Sequence, residues 1–173
     1  MPSGPTAVVR TYLELCKHSD LRPSPSPTET ARLVEAVPLT AAEYRDIYSK
    51  VGERWHWRDR LLWSDSDLEA YLASPDVRVT LLHLGEDLAG YFELQRHPDH
   101  RIEVVYFGLV SAFIGRGLGG WMLTCAVERA FALGATGVFL NTCTLDAPQA
   151  LPNYLARGFR IVREERFTLD LPY

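Results

Sequence analysis

The residues of this chain best suited to chemistry form the run Gly115-Arg116-Gly117-Leu118-Gly119-Gly120, set between a strand-like segment and a helical one. Glycines let a backbone turn tightly and approach a ligand closely, and the first turn of a helix offers unpaired N–H groups with partial positive charge. Together they suit an anion, most naturally a phosphate; the plainer reading is a glycine-rich turn with no ligand. Gly115, Gly117 and Gly120 also satisfy the dinucleotide pattern Gly-x-Gly-x-x-Gly. That pattern carries meaning only when it opens a βαβ unit with an acid about 20 residues further on. Here hairpin patterns precede it, the next strand ends in Asn141-Thr142-Cys143, and 53 residues are too few for the rest of such a fold. No Gly-Lys-Ser/Thr follows, which excludes a Walker A loop.

Three of the four tryptophans lie between Trp55 and Trp63, with Trp57 and Asp59 among them. Such rings beside a carboxylate can hold an ammonium group by cation–π and charge contacts, or simply bury neighbouring helices against a sheet. His97 and His100 flank Pro98-Asp99, a turn sequence with no third ligand nearby, so no metal site is expected. The three cysteines are odd in number and lack Cys-x-x-Cys spacing, which argues against a disulfide framework and points to a reducing cytoplasm. Cys125 falls on an apolar helix face and reads as core. Cys143 lies nearer the cleft without an identifiable base, so an acyl-cysteine route is not expected.

These groups are positioned by a regular succession of elements. The pattern predicts a peripheral strand over residues 8–16, an extended loop around Pro23, Pro25 and Pro27, and a strand over 31–37. Thr40 and Glu43 form a capping-box pair for a helix ending near Gly52. Ser64 and Ser66 are natural caps for a short helix over 67–73. Three strands at 77–84, 88–96 and 101–109 are joined by short turns and are therefore antiparallel neighbours. Leu118, Met122, Cys125, Ala126 and Leu133 make one apolar helix face closed by Gly134. A short strand over 138–141, a helix regular from Pro152 to Gly158 and a strand over 160–169 complete the chain. The fold class is α+β: a mostly antiparallel sheet flanked by helices, with a late helical crossover.

With 173 residues and 47% hydrophobic composition, the chain suits one globular domain over 31–173 preceded by an extension over 1–30. A formal charge of −4 provides no general attraction to nucleic acid or anionic lipid. No apolar stretch suits a membrane span, and no signal sequence is visible at the N-terminus.

The glycine run resembles the acyl-CoA signature of the GNAT N-acyltransferases, Gln/Arg-x-x-Gly-x-Gly/Ala. Here it reads Ile114-Gly115-Arg116-Gly117-Leu118-Gly119, with Ile114 in place of the leading Gln or Arg and Arg116 as the neighbouring cation. Ala150-Leu151-Pro152-Asn153-Tyr154-Leu155-Ala156-Arg157-Gly158-Phe159 is similar to the family's Ala-x-x-x-Tyr-x-x-x-Gly-Phe segment. Ala147 stands where an Asn is frequent. A narrower resemblance is to bacterial members sharing Phe-Ile-Gly-x-Gly-Leu-Gly and Thr-Cys-Thr-Leu-Asp-x-Pro runs, a subgroup that implies no defined acceptor.

The resemblance implies a sheet splayed between its fourth and fifth core strands. The pantetheine arm of acetyl-CoA would run in the gap against Phe107, Gly108 and Leu109, and the pyrophosphate would lie on the amides of residues 116–120. It further implies transfer of an acetyl group to a primary amine of a small molecule or peptide, with Tyr154 facing the thioester sulfur. A protonated amine must lose a proton before it attacks, so a base is needed. Glu103 or Glu93 is the candidate, each otherwise a solvated strand carboxylate. Trp55, Trp57 and Asp59 would line the acceptor side. No metal is required, a homodimer is compatible, and a non-catalytic acyl-CoA sensor of the same fold is the alternative.

Overall fold

The computed structural model describes residues 4–171, so residues 1–3 of the expected extension lie outside the described residues. The elements follow the expected order: β1 (Thr6–Leu15), β2 (Ala31–Glu35), α1 (Ala41–Gly52), α2 (Asp65–Leu72), β3 (Val77–Leu84), β4 (Asp87–Arg96), β5 (Ile102–Leu109), α3 (Leu118–Ala132), β6 (Val138–Cys143), α4 (Ala150–Ala156) and β7 (Arg160–Leu169). The Thr40 hydroxyl accepts from Glu43 N at 3.2 Å while the Glu43 carboxylate accepts from Thr40 N at 2.8 Å. This closed capping box is worth about 1 kcal/mol to α1. Ser64 caps α2, accepting from Asp67 N at 3.1 Å, so α2 begins two residues earlier than periodicity alone suggested. α4 also begins two residues early, because Pro152 is accommodated in the first turn, where an amide has no intrahelical partner.

One seven-stranded sheet runs β2-β3-β4-β5-β6-β1-β7. All neighbours are antiparallel except β5 and β6. The first strand is therefore not peripheral: β1 pairs with β6 on one side and β7 on the other. Its Val8, Leu13 and Leu15 are buried, whereas β7, rich in Arg and Glu, is exposed along nearly all its length and takes the edge. β4 is buried on both faces. Its Phe92 and Leu94 join the core under α3, while Tyr91 joins a second core with Tyr44, Tyr48 and Val51 of α1. The expected core position of Cys125 is only half-buried, because the buried face of α3 centres on Met122, Leu123, Ala126 and Val127.

Candidate functional site

The site begins where two strands part. β5 and β6 pair only at Ile102–Val138 and Glu103–Phe139. Glu93 of β4 faces Tyr106 and Leu94 faces Val104, so Val105 is the extra residue of a bulge. A bulge bends its strand and increases its twist. Past this point β5 has no ladder partner on the β6 side, and its N–H and C=O groups are available to a ligand. The gap opens into a cavity of about 770 Å³ that extends to the start of α3.

At that start Gly117 is the residue before the first helical turn, with φ of +75° and no side-chain cap on the amides behind it. A side chain there would be strained in the left-handed region, and the space beside it is open. Nine of the ten residues expected to hold coenzyme A line the cavity: Phe107, Gly108, Leu109, Ile114, Gly115, Gly117, Leu118, Gly119 and Gly120. Arg116 is the exception, because its guanidinium is engaged by the Glu29 carboxylate and stacks over Phe113. Its charge is thus paired at the surface, and its side chain is not part of the cavity wall. Arg157, from the end of α4, lines the cavity instead. A Cβ on Gly120 would overlap Arg157 Nη1 and come 2.8 Å from Ser24 Oγ, and Arg157 Nε is buried without a partner among the described residues. Asn153 fixes α4 to this loop, its amide donating to Gly119 O at 3.1 Å.

The catalytic candidates separate clearly. Tyr154 is 6% exposed and lines the cavity, with Phe107 and Phe159 each 6.1 Å from its ring. Burial, reinforced by the Asp146 charge, pushes its pKa above the usual phenol value, so it remains a proton donor. Glu103 also lines the cavity and is bound at 2.9 Å to His97 Nε2. Glu93 lies outside the cavity lining and is fully buried. Tyr44 and Tyr71 each donate to it at 2.6 Å, and Arg60 at 3.0 Å. Arg60 is itself ringed by Trp63, Tyr71 and Tyr106. Burial works against the Arg60 charge, but Glu93 and the tyrosines outweigh it and raise its pKa. Glu93 is thus the anchor of the Trp55–Trp63 segment, not a group poised to meet a substrate.

Trp55, Trp57 and Asp59 all line the cavity, and Trp57 also packs on Tyr48 and Tyr106 at 5.6 and 4.9 Å between ring centroids. Trp57 is thus at once part of the core, as the packing reading expects, and part of the cavity wall. Trp57 Nε1 donates to Asp146 at 3.4 Å, and Asp146 in turn accepts from Thr142 at 2.6 Å. Arg157, Ser24, Asn153 and Asp146 were not singled out in the sequence. Asn153 and Arg157 lie inside the tyrosine motif and Asp146 inside the Thr-Cys-Thr-Leu-Asp-x-Pro run, whereas Ser24 carried no signal.

Comparison with known proteins gives a consistent result. The profile of the Acetyltransferase (GNAT) family matches residues 42–159. Among solved structures, a GCN5-related N-acetyltransferase from Kribbella flavida aligns with TM-score 0.64 at 20% identity, over 91% of this chain and 56% of that one. One from Sphaerobacter thermophilus gives 0.65 at 16% identity, over 97% and 55%. A Bacillus subtilis acetyltransferase solved in complex with CoA gives 0.59 at 21%, over 78% and 79%. This chain thus spans little more than half the length of the first two. No curated protein matches it. The fold shared with these structures is a mixed α+β one with a mostly antiparallel sheet.

Proposed function

The chain belongs to the Acetyltransferase (GNAT) family, and on that premise we propose that it transfers an acetyl group from acetyl-CoA to a primary amine by direct attack. The observation that carries this reading is a single cavity joining the open edge of β5, the bare amides at the start of α3 and the Tyr154 side chain. The fit to coenzyme A rests on Arg157, whose buried Nε beside Gly120 lacks a partner among the described residues. The amides of α3 and Arg157 would hold phosphate, and residues 107–109 would bond the pantetheine amides. Coenzyme A supplies the activated thioester and a thiolate leaving group.

The protein's own residues then do the proton work. Glu103 takes a proton from the ammonium group, freeing the nitrogen lone pair for attack on the acyl carbon. Tyr154 donates its proton to the departing sulfur. On the acceptor side, Asp59 and the rings of Trp55 and Trp57 offer a site for a cation, so the acceptor is an amine that arrives protonated. The test is a panel of amines (amino acids, polyamines, aminoglycosides and lysine peptides) incubated with acetyl-CoA, with free thiol as readout. Tight acetyl-CoA binding without amine-dependent thiol release from any of them would favour the sensor alternative.

A further inference from the structure

Acetylation of a protonated amine leaves one proton over. The ammonium nitrogen loses two protons as its bond to the acyl carbon forms and the carbon–sulfur bond breaks. One replaces the proton Tyr154 gives to sulfur, and the other must reach solvent. Glu103 can receive that second proton, at the wall of the cavity that both substrates would occupy. We propose that His97 is the exit: it carries the proton from Glu103 to bulk water at the outer face of the β4–β5 hairpin. This rests on the acyl-transfer reading of the site.

The geometry fits a relay at the hairpin end of β4 and β5. His97 Nε2 lies 2.9 Å from Glu103 Oε2, and the His97 side chain is 34% exposed without forming part of the cavity wall. Its Nδ1 makes no hydrogen bond to the described residues. The ring is held in place: its backbone N–H donates to Arg101 O at 2.9 Å, and Phe139 of β6 packs 5.1 Å away. Asp99 and Arg101 of the same turn pair with each other at 2.7 Å, and Glu103 is the carboxylate bonded to His97. Glu103 passes its proton to the Nε2 lone pair, and the imidazolium so formed releases its Nδ1 proton to water. Exchange with water then restores the accepting tautomer.

The experiment compares wild type, His97→Ala and His97→Gln in dilute buffer at neutral pH, with saturating acetyl-CoA and the best amine of the panel. Both variants should retain coenzyme A affinity and thermal stability, while turnover falls about tenfold or more. Added imidazole should restore His97→Ala in proportion to its concentration. Gln keeps a hydrogen bond to Glu103 but cannot relay, so wild-type turnover in His97→Gln would reduce the contact to positioning and overturn the relay. Unaltered turnover in His97→Ala, or a loss that imidazole does not rescue, would overturn it equally. If the wild type acetylates no amine, the reading of the site fails and takes the relay with it; an active wild type with unaffected variants defeats the relay alone.

Discussion

Replacing Arg157 tests whether tertiary structure, rather than the glycine signature, supplies the phosphate-binding cation. Arg157→Gln keeps a side chain of similar polarity, and the backbone bond from Arg157 N to Asn153 O at 3.1 Å that ends α4 is untouched. What disappears is a guanidinium beside Gly120 and the unpaired amides of α3. A hydrogen bond to a charged group is worth about 1.5–3 kcal/mol, which corresponds to a loss of about 10- to 150-fold in affinity. Arg116→Gln removes a charge already neutralised by Glu29 at the surface, so its effect should stay within about threefold. Calorimetric titration with coenzyme A over a range of salt concentrations separates the two. The Arg157 variant should also show a weaker salt dependence, since one charge–phosphate attraction has gone. Wild-type affinity in Arg157→Gln together with a large loss in Arg116→Gln would refute the reasoning and return the cation to the signature.

Tyr154→Phe should lower turnover about tenfold or more at unchanged coenzyme A affinity, with little change in melting temperature because the hydroxyl has no partner among the described residues; weaker binding at preserved turnover would make it a binding residue. Glu93→Gln removes the charge paired with buried Arg60 and should cost about 3–5 kcal/mol in urea unfolding. A normal unfolding curve with a displaced pH–rate profile would make it the base after all. The phenols of Tyr44, Tyr71, Tyr91, Tyr106 and Tyr154 all have pKa values raised above 10, chiefly by burial. Above pH 10 the unfolded chain ionises these groups before the folded one does, so stability is full below that pH and falls as pH rises beyond it. Melting temperatures measured from pH 8 upward should decline steeply past 10, and a flat profile would contradict the burial of these rings.

Some features were legible in the residues alone because they depend on nearest neighbours in sequence. Alternation and turn chemistry placed β3, β5 and β7 within a residue of their observed bounds, and Thr40 with Glu43 fixed the start of α1. The glycine run announced a tight turn into a bare helix start, since positive φ and an uncapped first turn are local properties. Periodicity could not say that β1 lies between β6 and β7, because strand partners are chosen by which apolar faces must be covered. Nor could it weigh Glu93 against Glu103. Both sit on neighbouring strands with similar surroundings in sequence, yet one is sealed by Tyr44, Tyr71 and Arg60 and the other faces the cavity. The same holds for the cation: Arg116 stands within the signature, but packing turns it to Glu29 while α4 delivers Arg157 from 41 residues downstream. Charge and hydrogen bonding act through space, so only the folded chain decides which polar groups meet a substrate and which satisfy one another.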